Sequence, residues 1–125
     1  AFNAKDGLGI HRLIKSGIEV GIITGRVSSF VSKRAEDLGI RHVYQKKMDK
    51  KPVFLELCEK LALKPDQVAY MGDDIIDLPV LEEVAIRACP ADAMPCVKKI
   101  CNFIAHNKGG RGAARELCDC ILEAQ

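Results

Sequence analysis

Short apolar runs at residues 18–23 (IEVGII), 42–45 (HVYQ), 68–71 (VAYM) and 85–88 recur along the chain, with a helical segment between each pair. This alternation constrains the fold more than any other feature. Parallel strands need a crossover between them, most often a helix. Strands covered on both faces read as nearly continuous apolar runs rather than alternating ones. The pattern therefore predicts an α/β domain, a parallel sheet with helices on both faces, spanning residues 1–125 as one unit.

Local signals place the helix ends. Asp6 can cap a helix running to about Lys15, with Leu8, Leu13 and Ile14 as its apolar positions, and Ser16-Gly17 closes it. Residues 28–38 read as a helix with Phe30, Val31, Ala35 and Leu38 near one face, stopped by Gly39. A third helix opens at Lys51 or Pro52 and runs through Leu61. A short helix ends at Leu81, another covers residues 94–99, and a closing helix at 113–124 turns Ala114, Leu117, Cys118 and Ile121 inward. Phe103-Ile104 is an edge strand, and 107–112 is a glycine-rich loop.

Composition excludes several classes of function. Lys and Arg number 19 against 17 Asp and Glu, aromatic residues make up 5%, and no basic block occurs, which speaks against nucleic-acid binding. No apolar run is long enough to span a bilayer, so no membrane partner is expected. The six cysteines form no CxxC pair and read as reduced, small apolar residues of a cytoplasmic protein. No signal peptide is visible, and a start at Ala1 leaves the true N-terminus open.

In an open parallel sheet the ligand lies beyond the carboxyl ends of the strands. Thr24 follows the first run, Lys50 the second, and Asp73, Asp74 and Asp77 the third, so all are expected at one rim. GDDIID, residues 72–77, is the sharpest motif. Crowded carboxylates repel unless a cation compensates, and Mg2+ suits one or two carboxylates plus a phosphate. An acidic cap on a helix N-terminus explains the same residues equally well. ITGR, residues 23–26, offers a hydroxyl and backbone N–H groups to a phosphate, or is simply a turn that starts a helix. Lys50 is either part of a solvated lysine patch with Lys46, Lys47 and Lys51, or a cation for a phosphoryl group.

Taken together, Thr24, Lys50 and GDDIID resemble the last three of four ordered motifs of the haloacid-dehalogenase superfamily. The segments AFNAKDGLGI, DLGIRHVYQ, VAYMGDDIIDLPVL, PADAMP and GGRGAARE look like its capless 3-deoxy-D-manno-octulosonate 8-phosphate phosphatase branch. The likeness covers essentially the whole chain. It implies a Rossmann-like fold without a cap domain. The family's first motif, DxDGxxTDG, is expected upstream of Ala1, so the nucleophilic Asp and the general acid/base would lie outside these residues.

The resemblance implies hydrolysis through an aspartyl-phosphate. Asp73 would be the direct Mg2+ ligand, and Asp74 would hold metal waters or basic neighbours. Asp77 would orient Lys50 or the loop. Thr24, Gly25 and Lys50 would hold the phosphoryl group, and Arg26 would take a substrate carboxylate. Lys5 would face the sugar acid. Arg111 in the glycine-rich loop would reach the substrate of a neighbouring subunit in a homotetramer, where the plainer reading is a flexible turn. The expected activity is removal of phosphate from a small sugar phosphate for lipopolysaccharide precursor synthesis, with these residues alone inactive. The rival is a catalytically silent oligomerisation domain, as in CMP-sialic acid synthetases. The intact ITGR and GDD favour an enzyme.

Overall fold

The structure, a computed structural model, describes residues 4–125, with side chains from residue 6 onward. Helix α1 (Ala4–Lys15) leads into β1 (Gly21–Ile23), α2 (Ser29–Leu38), β2 (His42–Tyr44) and α3 (Lys50–Lys60). Then follow a 3-10 turn (Pro65–Gln67), β3 (Ala69–Met71), a second 3-10 turn (Ile75–Asp77), α4 (Leu78–Leu81), β4 (Ile86–Cys89), α5 (Pro95–Ile100), β5 (Phe103–Ile104) and α6 (Ala113–Glu123). The first three strands are shorter than the apolar runs that announce them.

Where the caps are local, they behave as the sequence implies. The Ser28 hydroxyl accepts from Val31 N–H at the start of α2, and Gly39 closes that helix at φ 80°, a conformation glycine adopts without Cβ strain. Asp6 acts differently. It sits inside α1, and its carboxylate accepts from the backbone N–H groups of Gly112 and Arg115 at 3.4 and 3.1 Å. It thus caps α6, whose own N-cap residue, Gly112, supplies no side-chain cap. The result is a polar clamp between the first and last helices.

All neighbouring strands run parallel. β1 pairs with β2 (Gly21 opposite His42), and β4 pairs with both β3 and β5 (Met71 opposite Ala88, Ala88 opposite Phe103). Helices pack on both faces. Ile22 turns toward Ile10, Leu13, Ala35, Leu38 and Cys118, while Ile23 turns toward Phe54, Cys58, Val80 and Val84. Consecutive strand residues point to opposite faces, so α1, α2 and α6 cover one side and α3 the other. A third cluster, Leu81, Cys89, Ala93 and Val97, fills the far end.

The sheet is not continuous among the described residues. β1–β2 and β3–β4–β5 form separate hydrogen-bonded sets. A cleft of about 900 Å3 is lined by Gly21–Ile23 of β1 and Val68–Met71 of β3. Leu13 and Leu117 lie on one side of it and Phe54 and Cys58 on the other. Two expected core positions are outside: Phe30 is 85% exposed and Leu8 45%. Among the described residues no helix is long and apolar enough to cross a membrane. The cysteines are free, and burial pushes the Cys118 thiol up to about 11 and that of Cys101 to about 12, which keeps them protonated.

Candidate active site

The three strand-end motifs meet where β1 and β3 end. β1 hands over to Thr24, whose N–H donates to Tyr44 C=O at 2.9 Å and so prolongs the β1–β2 ladder. The Thr24 hydroxyl accepts from Arg26 N–H at 3.2 Å, which bends the chain around Gly25. A Cβ on Gly25 would come within 2.6 Å of Met48 Sδ and 4.0 Å of Ile76. The Thr-Gly turn therefore lies against both the segment leading to Lys50 and the turn leading to Asp77.

Asp77 is the centre of the arrangement. Its side chain is 3% exposed and that of Lys50 9%, and Lys50 Nζ donates to Asp77 Oδ1 at 2.7 Å. The Tyr70 hydroxyl donates to the same oxygen at 2.7 Å. The other oxygen, Oδ2, accepts from the backbone N–H groups of Asp73 and Asp74 at 3.0 and 3.2 Å. Burial alone would push the Asp77 carboxyl up. The bonds from Lys50 and Tyr70 outweigh it and hold the group below the ordinary aspartate range. Close wrapping of the turn requires glycine at residue 72, because a Cβ there would overlap the Asp77 side chain, with Cγ at 2.6 Å.

The three carboxylates of GDDIID thus have different situations. Asp77 is internal and fully hydrogen-bonded. Asp74 is exposed, and its carboxylate accepts from Ile75 N–H at 2.6 Å as the cap of the 3-10 turn. The capping role expected of this motif thus falls to Asp74. Asp73 lines the end of the cleft with Lys50, Tyr70 and Asp77. Burial, then the charges of Asp77 and Asp74, push its carboxyl up, and Lys50 opposes them only partly. A group held in this state is relieved by a cation. Hard oxygen donors of this kind fit Mg2+, which keeps several waters and uses one or two protein carboxylates. Among the described residues no three His, Cys, Asp or Glu side chains gather as a metal-binding group.

The remaining expected residues lie farther out. Arg26 is exposed just past the Thr-Gly turn. Arg111 is exposed in the 107–112 loop, which Asp92 ties back by accepting from Gly109 N–H at 2.8 Å; Gly109 and Pro90 line the same cleft as Asp73. The side chain of Lys5 lies outside the described residues. Tyr70 was missed by motif reasoning. It precedes Gly72 by two residues inside a strand, where a tyrosine reads as one more aromatic core residue.

Residues 39–117 match the haloacid dehalogenase-like hydrolase family. The chain is 49% identical over all 125 residues to the 3-deoxy-D-manno-octulosonate 8-phosphate phosphatase of Salmonella typhi, and spans 66% of that protein's length. Among solved structures it is similar to the phosphatase of the same name from Yersinia pestis. That likeness has a TM-score of 0.97 and 49% identity, over 100% of this chain and 68% of the other. The Moraxella catarrhalis phosphatase, solved with a magnesium ion, a phosphate ion and a KDO molecule, matches at a TM-score of 0.97 and 39% identity. It is covered over 72% of its length by the whole of this chain.

Proposed function

Because the chain belongs to the haloacid dehalogenase-like hydrolases, in their 3-deoxy-D-manno-octulosonate 8-phosphate phosphatase branch, we propose that it forms the greater part of a Mg2+-dependent phosphoric monoester hydrolase. The substrate we assign is a sugar-acid phosphate, 3-deoxy-D-manno-octulosonate 8-phosphate. The observation that carries this reading is the buried Lys50–Asp77 pair at the end of the cleft, beside the outward carboxyl of Asp73.

The chemistry follows from these residues. A further strand, lying outside them, enters the cleft between β1 and β3 and presents the nucleophilic carboxylate at its carboxyl end. That carboxylate attacks phosphorus, the sugar oxygen leaves with a proton from an acid on the same strand, and water then hydrolyses the aspartyl-phosphate. Lys50, anchored by Asp77, holds a fixed positive charge where the phosphoryl oxygens gather negative charge. The Thr24 hydroxyl and the Gly25 N–H donate to the same oxygens. Asp73 and Asp74 would hold Mg2+, which when bound draws charge from the phosphoryl group. Arg26 at the mouth pairs with the substrate carboxylate in two parallel hydrogen bonds. Val27, Phe30 and Met48 are 70, 85 and 63% exposed on the segments following β1 and β2. Such apolar surface supports a homotetramer, in which Arg111 of one subunit covers the site of another. The assembly works in the cytoplasm on a lipopolysaccharide precursor. The buried Lys50–Asp77 pair favours an enzyme over a silent oligomerisation domain.

The test is phosphate release from a panel of sugar-acid phosphates by the full-length protein, with and without Mg2+. Metal-dependent release with a preference for the octulosonate phosphate is expected. Absence of metal-dependent release from any of them would sink the phosphatase reading. The 125 residues alone should release none, and turnover by them would move the nucleophile inside this chain.

A further inference from the structure

We propose that Tyr70 is a positioning residue: its hydroxyl occupies one of the two acceptor directions of Asp77 Oδ1 and so leaves the Lys50 ammonium a single place at the end of the cleft. The geometry of this inference is independent of the phosphatase reading, and its catalytic consequence rests on it.

A carboxylate offers about four lone-pair directions, two on each oxygen. In Asp77 all four have donors. Oδ2 faces the N–H groups of Asp73 and Asp74 at 3.0 and 3.2 Å, and Oδ1 receives Lys50 Nζ and the Tyr70 hydroxyl, each at 2.7 Å. The backbone donors cannot move without unwinding the turn at residues 75–77. The tyrosine ring cannot move either. It stands edge-on to Phe54, with ring centroids 6.5 Å apart at 75°, and packs against the Val80–Val84 and Leu81–Cys89 clusters. Lysine is the only flexible member of the set. Three rigid donors leave it the fourth direction, with one N–H on Asp77 and the others available to an anion entering the cleft that both residues line.

The hydroxyl is well suited to this task. Burial, followed by the charge of Asp77, pushes its ionisation far above the ordinary tyrosine range, so it stays an O–H donor. Phenylalanine would fill the same volume and keep the edge contact with Phe54. Among the described residues the oxygen of Tyr70 has one hydrogen-bond role, toward Asp77. With phenylalanine, Oδ1 would present two open directions, and the four-carbon stem of Lys50 would let its ammonium swing between them.

The experiment uses Tyr70→Phe in the full-length protein. Loss of a group that orients a reacting residue costs on the order of 10-fold in activity. We expect kcat to fall by about that factor, with KM for the sugar phosphate little changed, since the ammonium is displaced rather than removed. In an Asp77→Asn background the same substitution should cost nothing further, because Tyr70 acts through Asp77. A second readout needs no turnover. The 15N–1H resonance of the Lys50 ammonium, assigned by its loss in Lys50→Arg, should shift or broaden in Tyr70→Phe. An unchanged kcat with an unmoved ammonium resonance overturns the inference. So does an equal fall in kcat in the wild-type and Asp77→Asn backgrounds. Should the parent protein release no phosphate from any sugar phosphate, the phosphatase reading fails, and the resonance still decides the positioning claim.

Discussion

Lys50 and Asp77 form a buried pair, yet their removal should have unequal consequences. Asp77→Ala strips the acceptor from four donors at once: the ammonium, the Tyr70 hydroxyl and two backbone N–H groups. A buried charge left without its partner costs about 3–5 kcal/mol. For a chain of this size each kcal/mol lowers Tm by roughly 4 °C, so the midpoint should fall by roughly 12–20 °C. Lys50→Met removes only one donor. Asp77 keeps the tyrosine and both backbone bonds, and the thioether follows the path of the lysine stem. That loss should be about 1–3 kcal/mol. Urea denaturation monitored by circular dichroism measures both, with the slope checking that the unfolded states are alike. The difference should also depend on pH. Asp77 titrates below the ordinary aspartate range, so the stability it contributes is complete above that range. It is lost as pH falls through the lowered value. The gap between wild type and Asp77→Ala should accordingly narrow in strong acid. A loss for Asp77→Ala under about 1 kcal/mol, or a larger one for Lys50→Met, would refute the four-donor account.

Other substitutions probe the rest of the site. Asp73→Asn should abolish Mg2+-dependent phosphate release while raising Tm without metal, because it removes a carboxylate whose neighbours already disfavour its charge; the Tm gain should shrink as pH falls and the native Asp73 becomes protonated. A melt in which Asp73→Asn is less stable than wild type at neutral pH would contradict the crowding argument. Gly72→Ala should open the turn around Asp77, lowering Tm and activity together, since a Cβ at residue 72 overlaps that side chain. Crystallography of the variant should show the turn displaced. Arg26→Ala should raise KM for an acidic sugar phosphate far more than for a generic phosphate ester; equal effects on both would remove its role in selecting the carboxylate.

Much of this was legible in the residues alone. Apolar runs and turn formers marked every strand, Ser28 and Gly39 bounded α2 as their capping chemistry requires, and the strand-end rule brought Thr24, Lys50 and the acidic motif to one rim. These signals are local, because period, capping and turn propensity act over a few residues. What they could not supply was the choice of partner. Asp6 has the sequence signature of a cap for its own helix and instead caps α6, 106 positions away. Phe30 fits a helical apolar face, yet among the described residues nothing covers it and it is 85% exposed. Tyr70 reads as core and becomes a donor to Asp77, because the turn after β3 carries that carboxylate back over the ring. The three aspartates of one motif are separated into a buried anchor, a cap and an outward carboxyl by the wrap of a single 3-10 turn. Sequence determined which elements form and where chemistry gathers. Tertiary structure decided which hydrogen bonds each polar group makes, since burial leaves such a group only the partners that distant segments bring to it.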